Sequence, residues 1–184
     1  MSRTALFFGS FNPIHHGHVG VAKAALQTQQ VDHVTFVVSP QNPFKKQADL
    51  LPEHHRLNLA QQVLKNRPNM SVSDVEFALL KPSYTLDTLN FLTDKNPTAQ
   101  YLLLMGADTF AQIPQWKNGE QLLKFKMMIY PRLGFELPAP NENRILLDAP
   151  IMEISATQVR DKIKAGEEVD HLVPNVVAEY LATL

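Results

Sequence analysis

Short apolar runs alternate with longer amphipathic segments along the chain. Four runs have the length of strands, at residues 4–8, 33–39, 100–105 and 126–130, and a glycine or a proline follows each of them. Runs that are mostly apolar or β-branched are typical of strands buried on both faces of a parallel sheet. The spacing of apolar positions between and after them predicts helices at residues 17–29, 53–66, 85–95, 119–124, 156–165 and 175–183.

This alternation predicts an α/β fold, with a doubly wound, mainly parallel sheet and helices on both faces. With no internal repeat and no linker, the chain is expected to form one domain over residues 1–184. Most of the large apolar residues of the runs are expected in the core: Phe7, Phe8, Phe36, Leu102, Leu103, Leu104 and Ile129. His54 and His55 are expected on a solvated helix face. Ligands of such sheets bind at the carboxyl ends of the strands, so the segments after the runs are the candidates for chemistry.

Composition and charge exclude several classes of protein. Seventeen Lys and Arg oppose eighteen Asp and Glu, a net charge of −1 that argues against a nucleic-acid partner. No apolar run reaches the length of a membrane span, and residues 4–8 are too few for a signal peptide, so no membrane contact and a cytoplasmic location are expected. Because the chain has no cysteine, disulfides, thiolate nucleophiles and cysteine-bearing zinc sites are excluded.

The segment after the first run combines glycines with three histidines. Gly9 permits close approach of a ligand to the backbone, and Gly17 lies at the start of the first predicted helix, where free N–H groups favour anions. His15 and His18 are three residues apart, so a helical turn places both on one side. Two imidazoles beside N–H donors suit a polyphosphate on which charge accumulates in the transition state.

Two other interpretations of these histidines stay open. His15, His16 and His18 offer nitrogen ligands for a metal, although no further histidine or carboxylate lies nearby in sequence. A loop with solvated histidines is the plainer alternative, and three histidines within four residues make it less favoured. The missing Gly-Lys-Ser/Thr and Gly-x-Gly-x-x-Gly patterns exclude a P-loop and a dinucleotide fingerprint.

A second candidate site lies near the C-terminus, where residues 154–160 open a predicted helix. Ser155 and Gln158 have the spacing of a capping box, which explains the serine without any ligand. Capping leaves Thr157 and Arg160 unexplained, and a hydroxyl with a guanidinium at a helix N-terminus also makes a good phosphate site. On this segment alone, neither interpretation is preferred.

Together the two segments resemble the motifs of a nucleotidyltransferase family that shares an ancestral fold with class I aminoacyl-tRNA synthetases. The family pattern Gly-x-Phe-x-Pro-x-His-x-Gly-His matches residues 9–18, and Ile-Ser-x-Thr-x-x-Arg matches residues 154–160. Four further segments resemble the bacterial nicotinate-nucleotide adenylyltransferases within that family, at residues 40–45, 82–89, 106–110 and 114–116.

The resemblance covers nearly the whole chain and implies a Rossmann-like nucleotidyltransferase. The expected reaction joins nicotinate mononucleotide to ATP and gives deamido-NAD and pyrophosphate, a step of NAD biosynthesis. Since the attacking phosphate oxygen is already ionised at neutral pH, direct in-line attack on the α-phosphate is expected, with no general base. Mg²⁺ is the expected cofactor, bound through the ATP phosphates and not by a metal site built from the protein.

The resemblance also implies roles for single residues. His15, His18 and Arg160 are expected to be catalytic through contacts with the ATP phosphates, with His18 nearest the transition state. Other expected ATP-binding residues lie after the strands and at the late helix: Gly9, Ser10, Phe11, Gly17, Lys45, Gly106, Asp108, Ser155 and Thr157. For Asp108, a helix N-cap ahead of residues 109–113 is the competing interpretation.

The expected contacts of the mononucleotide are Asn42, Tyr84, Thr85, Trp116 and Lys117. The resemblance places Trp116 against the pyridine ring, whereas a lone tryptophan without that motif is more often part of a core. Backbone N–H groups near Tyr84 and Trp116, with Lys117, are expected to meet the nicotinate carboxylate. Phe44, Lys117 and Leu133 depart from the family pattern, so the preference for acid over amide comes from the resemblance alone.

Alternatives remain at the level of the sequence. Related adenylyltransferases act on nicotinamide mononucleotide or phosphopantetheine, and the segments at 83–85 and 114–116 argue against the latter. A non-catalytic nucleotide-binding module, a different class of protein, would also keep an ATP pocket. The sequence does not fix the oligomeric state and is compatible with a homo-oligomer. The main interpretation requires His18 and Arg160, from opposite ends of the chain, to converge on one cavity.

Overall fold

A six-stranded parallel sheet organises the protein. The structure is a computed structural model that describes residues 2–40, 50–149 and 154–183. Three residues discussed above, Asn42, Phe44 and Lys45, lie outside the described residues. The strands within that part of the chain are β1 (Arg3–Gly9), β2 (His33–Val38), β3 (Met70–Ser73), β4 (Gln100–Gly106), β5 (Met127–Tyr130) and β6 (Arg144–Leu146).

Helices connect and cover the strands. They are α1 (His16–Gln27), α2 (Glu53–Leu64), α3 (Thr85–Lys95), α4 (Ala107–Gln112), α5 (Gly119–Leu122), α6 (Ala156–Lys164) and α7 (Asn175–Leu181). Short 3₁₀ turns span Val75–Phe77 and Ile113–Gln115. The six predicted helices are confirmed to within a few residues at their ends. Nowhere in the described ranges is a helix long and apolar enough to cross a bilayer.

The strand order β3-β2-β1-β4-β5-β6 confirms the doubly wound sheet. Every neighbouring pair of strands is parallel, from β2 with β3 at one side to β5 with β6 at the other. From β1 the chain adds β2 and then β3 on one side. It then crosses back and adds β4, β5 and β6 on the other side of β1. The order therefore reverses between β1 and β4, and the connections that leave these strands diverge there and open a crevice.

Alternate residues of the inner strands face two separate apolar cores. On β1, Ala5 and Phe7 belong to one core, which includes residues of α1, α2, α6 and α7. Leu6 faces the other core, which includes residues of α3 and of the 3₁₀ turn at Ile113–Gln115. The two-residue period of a strand, with both sides apolar, explains why the central strands were visible in the sequence as unbroken apolar runs.

The outer elements differ from the sequence-based expectation. The edge strands β3 and β6 were not predicted, because they have only four and three residues and one buried residue each. Helix α4 follows β4 directly, where the sequence analysis had a helix only as the competing interpretation, at residues 109–113. Phe8 is half-buried, because it packs against the edge of the second core and also lines both cavities. His54 is exposed as predicted, whereas the Nδ1 atom of His55 forms a hydrogen bond with the Tyr180 hydroxyl of α7.

Candidate active site

Two adjoining cavities open at the carboxyl ends of β1, β4 and β5, where the strand order reverses. The first has a volume of about 260 Å³ and is lined by residues of the loop after β1, the region after β5 and the start of α6. The second has a volume of about 420 Å³ and lies between the ends of β1 and β4 and the start of α3. Both cavities share the wall formed by Gly9, Ser10, Asp108 and Tyr130.

The loop after β1 is held in place by its own buried aromatic side chain, Phe11. Phe11 has a positive φ of 44°, and its ring is buried and packs edge-on against Phe7 at 5.6 Å between ring centroids. A Cβ atom at Gly9 would lie 3.0 Å from the Phe11 ring. Only glycine therefore fits comfortably over this ring, which places the backbone of Gly9 and Ser10 at the wall common to both cavities.

His15 and His18 lie together in the first cavity. Their rings stack at 3.6 Å between centroids, and the backbone N–H of His15 donates a 3.2 Å hydrogen bond to Nδ1 of His18. An Nδ1 atom that accepts a hydrogen bond leaves the proton of the neutral ring on Nε2. His18 is thereby held as an Nε2–H donor. The adjacent His16 is exposed and does not line either cavity.

The environment of His15 keeps its imidazole neutral. The residue is only 5% exposed. Burial, which is the largest cause, and the positive charges of Arg132 and His16 together lower the pKa of His15 from 6.5 to about 3. At neutral pH this ring is therefore a hydrogen-bonding group without a charge.

The N-terminus of α6 meets the loop after β1 through Arg160. One guanidinium nitrogen, NH1, donates to the backbone carbonyl of Asn12 at 2.8 Å, and NH2 donates to the Thr157 hydroxyl at 3.3 Å. The hydroxyl of Ser155 accepts the N–H of Gln158, so the serine half of the predicted capping box is present. Ser155, Thr157 and Arg160 all line the first cavity beside His15 and His18. Capping and cavity lining are thus compatible for Ser155.

Asp108 and Arg132 face each other at the meeting point of the cavities. The Nε atom of Arg132 lies 3.5 Å from Oδ2 of Asp108, and Asp108 lines both cavities. Gly106, and not Asp108, occupies the N-cap position of α4. A Cβ atom at Gly106 would lie 2.3 Å from Oδ1 of Asp108, so glycine leaves the room that this carboxylate occupies. Gly106 lines the second cavity only.

Arg132 is the clearest site residue that the sequence analysis missed. It lines the first cavity and follows β5 after a single proline. The rule that ligands bind after the carboxyl ends of parallel strands applies to β5 as well as to β1 and β4. Applied to the run at 126–130, that rule would have pointed to Arg132.

The second cavity is lined by aromatic and polar groups. Tyr84, Thr85, Trp116 and Lys117 all lie on its wall, as does the buried carboxylate of Glu76. The Nζ atom of Lys117 lies over the Tyr84 ring, 4.4 Å from its centroid, which places a positive charge beside aromatic faces. The indole nitrogen of Trp116 is buried and has no hydrogen-bond partner among the described residues.

Glu76 explains how the start of α3 is held at this cavity. Its carboxylate accepts hydrogen bonds from the hydroxyls of Ser83 at 2.9 Å and Thr88 at 3.0 Å. Ser83 and Thr88 lie on either side of Tyr84 and Thr85 in the sequence, so these two hydrogen bonds fix the backbone at the start of α3. The sequence analysis missed Glu76, because an isolated glutamate gives no sign of burial.

The structure thus brings the predicted residues into two groups. The first cavity collects Gly9, Ser10, Phe11, His15, Gly17, His18, Asp108, Ser155, Thr157 and Arg160. The second collects Tyr84, Thr85, Trp116 and Lys117 together with Gly106. Among the residues that the structure describes, no group of three or more His, Asp and Glu side chains is arranged to hold a metal ion.

The comparisons with known proteins agree with this geometry. A family model described as cytidylyltransferase-like matches residues 6–162, which contain both motifs. This chain belongs to the cytidylyltransferase-like family. A protein of Cytophaga hutchinsonii is 41% identical over 182 residues, which cover 97% of this chain and 95% of that protein. A protein of Bacteroides fragilis is 39% identical over 178 residues, 94% of this chain and 87% of that protein. Each carries the name "Probable nicotinate-nucleotide adenylyltransferase".

Solved structures confirm the fold of this family member. The nicotinic acid mononucleotide adenylyltransferase of Plasmodium falciparum, in complex with NaAD, superposes with a TM-score of 0.85. The match covers 100% of this chain and 96% of that chain at 18% sequence identity, so it establishes the Rossmann-like architecture. Family membership and fold together identify the chain as a nucleotidyltransferase.

Proposed function

We propose that this nucleotidyltransferase is a nicotinate-nucleotide adenylyltransferase, which transfers AMP from ATP to nicotinate mononucleotide and releases pyrophosphate. The observation that carries the proposal is the pair of adjoining cavities with Gly9 and Ser10 in their common wall. One cavity offers imidazole and guanidinium groups, and the other offers aromatic rings. Two nucleotides bound side by side would bring their phosphates together at that wall. The names of the relatives at 41% and 39% identity support the same reaction.

The first cavity suits the triphosphate of ATP. His18 presents an Nε2–H donor, and Arg160 presents a guanidinium whose orientation is fixed by Asn12 and Thr157. The N-terminus of α6 adds backbone N–H groups to the same wall. Arg132 contributes a second guanidinium near the common wall, where the transferred phosphate would lie. Asp108, paired with Arg132, is the acceptor for ribose hydroxyls.

The second cavity suits the nicotinate mononucleotide. Trp116 and Tyr84 provide flat apolar faces for a pyridine ring. Lys117 lies over Tyr84 and provides a positive charge that complements the nicotinate carboxylate. An amide in place of that carboxylate carries no charge, so this contact favours the acid.

The chemistry requires alignment and charge stabilisation, and no protein base. An ionised oxygen of the mononucleotide phosphate attacks the α-phosphorus of ATP and forms the new P–O bond. The bond from the α-phosphorus to the oxygen that bridges to the β-phosphate breaks, and pyrophosphate leaves with that electron pair. His18 and Arg160 stabilise the charge that develops on the phosphoryl oxygens. The neutral state of His15 fits a role as hydrogen-bond partner and not as proton acceptor.

Mg²⁺ fits this arrangement as a partner of the ATP phosphates. The side chains that face the first cavity are neutral or cationic apart from Asp108, and Asp108 already pairs with Arg132. Such a donor set does not build a metal cage, so the ion would be held by phosphate oxygens and water. When bound, it would screen the negative charge of the triphosphate.

A product assay tests the proposal. Purified protein is incubated with ATP, Mg²⁺ and, in separate reactions, nicotinate mononucleotide, nicotinamide mononucleotide and phosphopantetheine. Mass spectrometry should find deamido-NAD, with pyrophosphate in equal amount, as the product of the most efficient reaction. A higher kcat/KM with the amide mononucleotide or phosphopantetheine would assign a different acceptor. Absence of pyrophosphate release with every acceptor would indicate a nucleotide-binding module without catalytic activity.

A further inference from the structure

A fully buried arginine lies directly behind the wall that the two cavities share. Arg56 of α2 is 1% exposed, and none of the described hydrogen bonds of its guanidinium is to an acidic side chain. Its Nε donates to the carbonyl of Leu51 at 2.9 Å, and NH2 donates to the carbonyl of Pro40 at 2.9 Å. NH1 donates to two carbonyls, Ser10 at 2.5 Å and Ser39 at 2.8 Å.

These four carbonyls belong to segments that leave or approach the carboxyl edge of the sheet. Ser10 follows β1 and lines both cavities, and Ser39 follows β2 and lines the second cavity. The N–H of Ser39 also donates to the carbonyl of Gly9 at 2.9 Å. The ends of β1 and β2 are therefore joined both by this backbone hydrogen bond and by Arg56, which binds the carbonyls of Ser10 and Ser39. Arg56 therefore joins the loop after β1 to the segment after β2 and to the segment that precedes α2.

The bond to Ser10 determines where the next N–H points. The peptide between Ser10 and Phe11 is trans, so its carbonyl and its N–H point in opposite directions. Because the carbonyl of Ser10 is directed at Arg56, the N–H of Phe11 is directed away from Arg56, and both residues line the first cavity. An N–H held in this way is a ready donor for a phosphate oxygen.

We propose that Arg56 is a positioning residue for nucleotidyl transfer, which acts by holding the Ser10 carbonyl and so orienting the backbone at the wall between the cavities. The inference rests on the proposed function, because the wall matters to chemistry only if two phosphates meet there. Arginine is required because its planar fork reaches several carbonyls at once, whereas the ammonium of lysine is a single point of charge. A loop displaced by about 1 Å loses on the order of 10²-fold in rate when it aligns reacting groups.

The chain offers a matched control in Arg144 of β6. This arginine is also buried, at 9% exposure, and its guanidinium donates to the carbonyls of Leu123, Phe125 and Asn143. It lines neither cavity. A substitution at Arg144 thus removes the same kind of hydrogen bonds to backbone carbonyls at a residue that contacts neither cavity.

The experiment compares Arg56→Lys with Arg144→Lys and with the wild type. For each protein we would measure the melting temperature, kcat, and KM for ATP and for the mononucleotide, at a temperature at which all three are folded. Both variants should melt at lower temperature than the wild type. Arg56→Lys should lose about 10²-fold in kcat with both KM values within about threefold, and Arg144→Lys should keep kcat within about twofold. Arg56→Gln, which has an amide donor but no charge, is the second variant and should behave as Arg56→Lys does.

The outcomes separate the two proposals. Equal kcat in the wild type and in Arg56→Lys overturns the positioning role and leaves the proposed function intact. Equal loss of kcat in the Arg56 and Arg144 variants shows a general effect of destabilisation and also overturns it. The positioning role fails as well if neither Arg56 variant folds while Arg144→Lys does, because Arg56 then serves stability. A wild type without activity on any acceptor overturns the proposed function, and this inference with it.

Discussion

The buried imidazole of His15 predicts a specific dependence of stability on pH. His15→Gln replaces the ring by a polar side chain that does not titrate. Unfolded His15 binds a proton below its ordinary pKa of 6.5, whereas the folded residue does not do so until about 3. Between these values the unfolded state binds more protons, so the free energy of unfolding of the wild type falls as the pH falls.

The magnitude follows from the two pKa values. At about pH 5 the solution lies about 1.5 units below the unfolded pKa, and each unit corresponds to about 1.36 kcal/mol, which gives about 2 kcal/mol of lost stability from His15. The folded group remains unprotonated at that pH, which lies about two units above its pKa. Other titrating groups, including the partly buried His33, are common to both proteins, and their contributions cancel in the comparison.

Urea titrations of both proteins at about pH 8 and about pH 5 measure the effect. The wild type should lose about 2 kcal/mol more than His15→Gln between the two pH values. The assay needs no catalytic activity, so the role of His15 in the reaction does not enter. Equal pH dependence of the two proteins would refute the argument, since it would mean that His15 binds a proton in the folded state as readily as in the unfolded one.

Three further predictions concern the reaction itself. His18→Asn retains an oxygen that can accept the N–H of His15, so its melting temperature should stay near that of the wild type while kcat falls on the order of 10²-fold; unchanged turnover would exclude His18 from the mechanism. Trp116→Ala should raise KM for the mononucleotide more than KM for ATP, as steady-state kinetics with each substrate varied in turn would show; an equal rise in both would indicate a structural tryptophan. Lys117→Met should lower the ratio of kcat/KM for the acid over the amide mononucleotide by about 5- to 30-fold, the factor for 1–2 kcal/mol. If Lys117 instead contacts the phosphate, both mononucleotides should lose efficiency equally and the ratio should not change.

Residues whose partners lie nearby in the sequence were predictable. The pair His15 and His18 could be placed on one side of a helical turn from spacing alone, and the structure stacks their rings. The central strands were also predictable, because each faces an apolar core on both sides. The prediction that Arg160 lines the same cavity came from the resemblance of the two motifs to those of a known family. No local sequence rule links residues at opposite ends of a chain.

Residues whose partners lie far away in the sequence were not predictable. Arg56 follows His54 and His55, which were expected on a solvent-exposed helix face. Its guanidinium nevertheless binds backbone carbonyls of three other segments. Glu76 and Arg132 are single charged residues whose burial or pairing depends on the packing of neighbouring strands. Backbone carbonyls leave no trace in a sequence, so an arginine that binds them cannot be distinguished in advance from one that faces solvent.

The hydrogen bond from Arg160 to the carbonyl of Asn12 has a consequence for synthesis of the protein in the cell. Its two partners are 148 residues apart. During translation the first strand and its loop emerge early, and the helix that carries Arg160 emerges only after the sheet strands have been made. A nascent chain therefore lacks the part of the first cavity that Arg160 supplies until residue 160 has left the ribosome. Polypeptides that terminate before residue 160 should have no catalytic activity, even when their sheet has formed completely.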